Sequence, residues 1–164
     1  MIGPDLYRSD FVEKHLFIDG KWVTTEQYTT LTAPYNGSLI AELPSASPAD
    51  VNDAIESAAQ ATSVMASMPA HQRAKILENL VTLMEDRRDE AAKILAAEAA
   101  KPITTAYTEV DRTIQTYKFA AEEAKRIHGE TLPLDAAPGG EGRVAYTVRE
   151  PLGVIGAITP FNFR

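Results

Sequence analysis

Hydrophobic and polar positions change period twice along this chain, and the changes divide it. From Leu16 to Val23 two short β-prone runs flank Asp19-Gly20, a favoured two-residue hairpin turn because both central positions accept positive φ. Asn36-Gly37, set between Tyr35 and Leu39-Ile40-Ala41, predicts a second hairpin. The period then lengthens. Val51, Ala54, Ile55, Ala58 and Ala59 predict an amphipathic helix to about Met65, started by Ser47-Pro48-Ala49-Asp50, a capping signature with Pro in the first turn. Met68-Pro69 separates it from a second helix with Ile76, Leu77, Leu80, Val81 and Met84 in one stripe. A third carries Ala91, Ala92, Ile94, Leu95 and Ala96 and stops near Lys101-Pro102. The fourth runs from about Ile103 to Ile127, turning Ala106, Val110, Ile114, Tyr117, Ala121 and Ala124 to a core. His128-Gly129 reads as its close, with glycine as a left-handed cap.

Beyond that the period falls back to two. Pro133 to Gly142 is a Pro/Gly/acid loop, and its Gly-Gly-Glu-Gly is no phosphate cradle because a strand, not a helix, follows it. Arg143 to Arg149 alternates apolar and polar residues, which predicts a strand with one face in solvent or against another subunit. Leu152, Val154, Ile155 and Ile158, spaced by small residues between Pro151 and Pro160, predict a strand buried on both faces of a parallel sheet. Residues 1 to 14 show no period and read as an extended arm.

Composition narrows the function. At 164 residues the chain has the size of one domain, and 45% hydrophobic with 24% charged residues is ordinary for a folded protein. The formal net charge of −7 repels phosphate backbones and anionic lipids, so neither a nucleic acid nor a membrane is an expected partner. The first residues lack the apolar core of a secretory signal, and the cytoplasm is the expected compartment. There is no cysteine, which excludes disulfides, thiolate metal sites and a cysteine nucleophile within this sequence. His15, His71 and His128 share no ligand spacing with acidic residues and read as surface or capping groups, so no metal site is expected. The mixed cluster Glu85 to Glu90 reads as a solvated face or helix junction.

One polar group stands out. Asn162 follows Thr159-Pro160-Phe161 at the carboxyl end of the apolar run, where open α/β sheets bind ligands. From the residues alone, Asn after Pro at a strand end is most simply a turn residue. Its amide also offers two donors and no charge, which suits an oxyanion.

The segment Glu150-Pro151-Leu152-Gly153-Val154-Ile155-Gly156-Ala157-Ile158-Thr159-Pro160-Phe161-Asn162-Phe163 resembles the aldehyde dehydrogenase superfamily, whose members carry a Glu-Pro-x-Gly-Val strand running into a Pro-(Trp or Phe)-Asn-Phe-Pro turn. Phe17 to Val23 is similar to the family's opening hairpin, Ala33 to Pro44 to its second, and Glu98 to Pro102 to a Glu-x-Gly-Lys-Pro element, all in the family's order. The chain departs from the pattern at Ala100, where Gly is usual, and at Arg164, where Pro is usual.

The resemblance implies an α/β protein with an incomplete aldehyde-dehydrogenase-like fold: amino-terminal hairpins, about four helices, then strands of the oligomerisation and cofactor-binding sheets. Residues 1–128 would be the amino-terminal part of a Rossmann-like cofactor-binding domain, 129–150 an oligomerisation β-segment, and 151–164 the first core strand of the cofactor sheet. Asn162 would hold the oxyanion, while Ile158, Thr159, Pro160, Phe161 and Asn162 would line the nicotinamide end of an NAD or NADP groove. A small aldehyde would be the substrate, oxidised to the acid through a cysteine thioester, in a homo-oligomer. Phe161 in place of Trp leans toward small polar or phosphorylated aldehydes and semialdehydes. The nucleophilic Cys, the general-base Glu and the Gly-rich loop would follow Arg164, leaving the present chain inactive alone. A non-catalytic interaction module and a coenzyme A-acylating relative are the alternatives.

Overall fold

The computed structural model describes residues 14–159. The arm read at residues 1 to 14 lies almost wholly outside them. The architecture is mixed: three two-stranded antiparallel hairpins and four helices.

The first hairpin pairs β1 (Leu16–Ile18) with β2 (Lys21–Val23), Phe17 opposite Trp22. Asp19 at φ 52° and Gly20 at φ 72° make the tight turn that the dipeptide predicts. The second joins β3 (Tyr28–Thr32) to β4 (Leu39–Pro44). Its loop closes through Ala33, whose N–H donates to the Ser38 carbonyl at 2.8 Å and whose carbonyl accepts from Gly37 at 2.8 Å. The Asn36 side chain accepts from the Ser38 N–H, an Asx turn of the kind that makes Asn-Gly a turn signal.

Helix α1 (Pro48–Ser67) begins on the predicted capping box: the Asp50 N–H donates to Ser47 Oγ at 3.2 Å, and the Ser47 N–H donates back to Asp50 Oδ2 at 2.8 Å. These hydrogen bonds from Ser47 hold the Asp50 carboxyl below its ordinary range. Helices α2 (Ala70–Asp86), α3 (Arg88–Ala99) and α4 (Ile103–Glu123) follow, and the charge cluster at 85 to 90 is the junction between the first two of these. Ala100 ends α3 in the left-handed region at φ 51°, where a side chain is strained.

The core belongs to α2, α3 and α4. Val81, Ala92, Ala96, Ala106, Val110 and Ile114 form one buried cluster, flanked by Met84, Leu95 and Tyr117. Alanine at the crossings lets the helices approach closely, and each buried Val or Ile contributes about 1.5–3 kcal/mol. Two members of the predicted stripes, Ile76 and Ile94, instead face solvent. Helix α1 differs more: none of its twenty residues is buried.

The structure corrects three expectations. Helix α4 ends at Glu123, not near Ile127; Lys125 and Arg126 donate to the Glu122 and Glu123 carbonyls in a turn, and Lys125 pairs with Glu78 of α2 at 2.8 Å. Gly129 is therefore no left-handed helix cap. It is required for close approach, because a Cβ there would stand 1.7 Å from the Thr147 carbonyl oxygen. The strand predicted over 143 to 149 shrinks to β6 (Ala145–Tyr146), paired with β5 (Thr131–Leu132). Pro133, which has no N–H to give a ladder, follows β5 directly and limits the pairing. Finally, 151 to 159 is irregular and exposed rather than a buried strand. A central parallel strand needs a neighbour on each side, and the three hairpins each pair only within themselves.

Candidate functional site

Residues reach the candidate site along β5 and β6. Beside that pair the Thr147 N–H donates to the Glu130 carbonyl at 2.8 Å, and the Glu130 N–H donates to Thr147 Oγ1 at 2.9 Å. With Gly129 packed against Thr147, this fastens the chain two residues before Arg149. From Pro151 it runs extended and open. Gly153 takes φ 91°, and Leu152 and Ile155 are exposed.

Of the five residues expected in a cofactor groove, Ile158 and Thr159 are described, and Ile158 is 99% exposed. Pro160, Phe161 and Asn162 lie outside the described residues. Nothing packs on Ile158, so the described residues do not by themselves enclose a dinucleotide, and no catalytic step is built from them.

Other polar groups were open to a chemical role. Arg88 forks onto Asp111, Nε to Oδ1 at 2.5 Å and Nη2 to Oδ2 at 2.7 Å, and its guanidinium lies 4.5 Å from the Tyr107 ring centre. Hydrogen bonding to Arg88 lowers the Asp111 pKa, and the same contact raises that of Arg88. Each neutralises the other, which makes this a brace between α3 and α4 rather than a base. Lys101 and Glu109 form a second brace across the turn between those helices. The sequence reading passed over Arg88 because it sits in a run of mixed charges; its i, i+4 partner set lies on another helix, 23 residues away.

His71 and His128 are exposed, at the start of α2 and beyond the end of α4, as expected of surface residues. His15 is half-buried. Among the described residues no group of three His, Asp or Glu is placed to hold a metal ion. A polar cavity of about 640 Å³ lies where Thr24 to Gln27 meet Ser45 to Pro48 and Asp50. Its two best-placed groups, Ser47 and Asp50, are already spent on capping α1.

Comparison with known proteins decides the family. Residues 22–164 match the model of the aldehyde dehydrogenase family, a span that includes Asn162. The chain belongs to this family. It is 41% identical over 147 residues to a 3-sulfolactaldehyde dehydrogenase of Priestia aryabhattai, covering 90% of this chain and 30% of that protein. It is 40% identical over 148 residues to a lactaldehyde dehydrogenase of Methanocaldococcus jannaschii, with the same coverage. In three dimensions it resembles the NADP-dependent glyceraldehyde-3-phosphate dehydrogenase of Bacillus halodurans, solved with NADP: TM-score 0.80 and 34% identity over 87% of this chain and 30% of that one. Aldehyde dehydrogenase 21 of Physcomitrella patens, solved with succinate, gives TM-score 0.76 at 36% identity, over 82% and 28%. The chain thus spans about 30% of the length of the relatives it matches, and its fold is an incomplete aldehyde dehydrogenase fold.

Proposed function

We propose that this chain is the amino-terminal portion of an NAD(P)-dependent aldehyde dehydrogenase, which oxidises a small aldehyde to a carboxylic acid through a cysteine thioester. The observation that carries the reading is the family match running through Asn162 at the end of the apolar run. In it Asn162 is the amide donor for the oxyanion of the tetrahedral intermediate. Loss of one such donor costs about 10²–10³ in rate. Ile158, Thr159, Pro160 and Phe161 supply one wall of the NAD or NADP groove. The similarity to a structure holding NADP supports that assignment. The names of the relatives, lactaldehyde and sulfolactaldehyde dehydrogenases, favour a small polar aldehyde.

The sequence has no cysteine, so the nucleophile comes from elsewhere and the chain by itself does not turn over. Thiolate chemistry suits the reducing cytoplasm, where we place the protein. A homo-oligomer is the expected assembly. The exposure of Val144, Tyr146 and Val148 on one face of the 143 to 149 segment supports this, and also favours a second reading, a non-catalytic oligomerisation module.

The test is incubation of the pure chain with NAD or NADP and a panel of small aldehydes. No reduced cofactor should form above the blank. Sustained reduction abolished by Asn162→Ala would overturn the statement that the nucleophile lies elsewhere.

A further inference from the structure

Helix α1 is complete and carefully started, yet it covers nothing. Val51, Ile55, Ala58 and Met65 fall within about 80° of its circumference at 100° per residue. Val51 is 48% exposed, Ile55 52% and Met65 48%. An apolar stripe on an amphipathic helix ordinarily faces a core. Here the α2–α4 core is closed without it, every member of that buried cluster coming from α2, α3 or α4. A second apolar surface runs through Leu152, Ile155 and Ile158, which are 89%, 71% and 99% exposed. Exposed apolar surface on this scale marks an interface.

We infer that the α1 stripe is a docking surface, and that its occupant is polypeptide supplying the part of the aldehyde dehydrogenase fold this chain does not span. The inference rests on the family membership and deepens the functional reading. Its argument is one of extent. The Bacillus halodurans structure matches this chain at TM-score 0.80 while the match takes up only 30% of that chain, so the same fold carries a large further body of protein. The matched region leaves α1 with no burial of its own, and the unmatched body is the available cover. A stripe of side chains without charge calls for an apolar complement, so the contact forms by burial and salt weakens it little.

The test is co-expression of this chain with the unmatched part of the Bacillus halodurans enzyme carrying an affinity tag. The chain should copurify in a one-to-one complex, and Ile55→Asp/Met65→Asp should lower its recovery at least tenfold. Ala58→Arg, which keeps a good helix former and only blocks the face, should do the same, with circular dichroism confirming an unchanged helix content for both. Phe119→Ser, at an exposed position on α4, should copurify like the parent. Equal recovery of parent and α1 variants would overturn the inference. So would a stable dimer of the chain alone that the α1 variants dissociate, which would make a second copy the occupant. NADPH formation by the purified complex is read separately: a complex without turnover leaves the docking surface standing and counts against the functional reading.

Discussion

Helices α1 and α4 are nearly equal in length and both amphipathic, yet one is buried along its stripe and the other is bare. In α4, Ala106, Val110, Ile114 and Ala121 are buried against α2 and α3, and the helix is braced at its first turns by Arg88–Asp111 and Lys101–Glu109. In α1 the apolar residues recur as regularly and the capping box is better made, but no residue is buried. Periodicity states that a face is apolar. It does not state that the same polypeptide covers it.

The contrast is tested most severely by truncating the same residue type on each helix. Ile114→Ala should cost about 3 kcal/mol of unfolding free energy, since it removes a buried side chain and leaves a cavity, and urea denaturation measures it. Ile55→Ala on α1 should change that transition by under about 0.5 kcal/mol; a cost above 1 kcal/mol would show that α1 packs within this chain. Next in size, Ser47→Ala should cost α1 about 1 kcal/mol, read as faster amide exchange over Pro48–Ser67. The α2–α4 transition should stay in place, because a 20-residue helix without tertiary contacts depends on its cap.

Ala100→Gly should stabilise the helical unit by about 1 kcal/mol by relieving the left-handed strain at φ 51°, visible as a higher melting temperature. The smallest effect concerns pH. Asp111 and Glu78 titrate lower in the folded protein than in the unfolded chain, through Arg88 and Lys125 respectively. Their stabilisation is fully present above the unfolded carboxylate value, about pH 4, and is lost as pH falls through the folded values. Asp111→Asn should therefore lower the melting temperature at pH 7 and flatten its fall below pH 4. Both groups are solvated, which keeps the change modest.

Much of the fold was legible because its signals are local. Asp19-Gly20 and Asn36-Gly37 specify turns through φ preferences of two residues, and Ser47 with Asp50 specifies a helix start through hydrogen bonds three residues apart. The candidate site was legible only as a resemblance, since Asn162 has no local signature that separates an oxyanion donor from a turn residue. Misreadings arose where a residue's role depends on a distant partner. Gly129 reads as a cap until Thr147 is seen against it, 18 residues on, and Arg88 reads as surface charge until Asp111 is seen.

The sequence by itself determined the hairpins, the four helices, the absence of a nucleophilic thiol and the family. These follow from backbone preferences, periodicity, composition and motif, each readable within a short window or along a fixed order. Only the tertiary structure decided which apolar faces are satisfied: α2, α3 and α4 close on one another, whereas the α1 stripe and the run from Leu152 to Ile158 stand open. The reason is physical. Burial is a relation between two surfaces, and a pattern along one strand or helix describes only one of them.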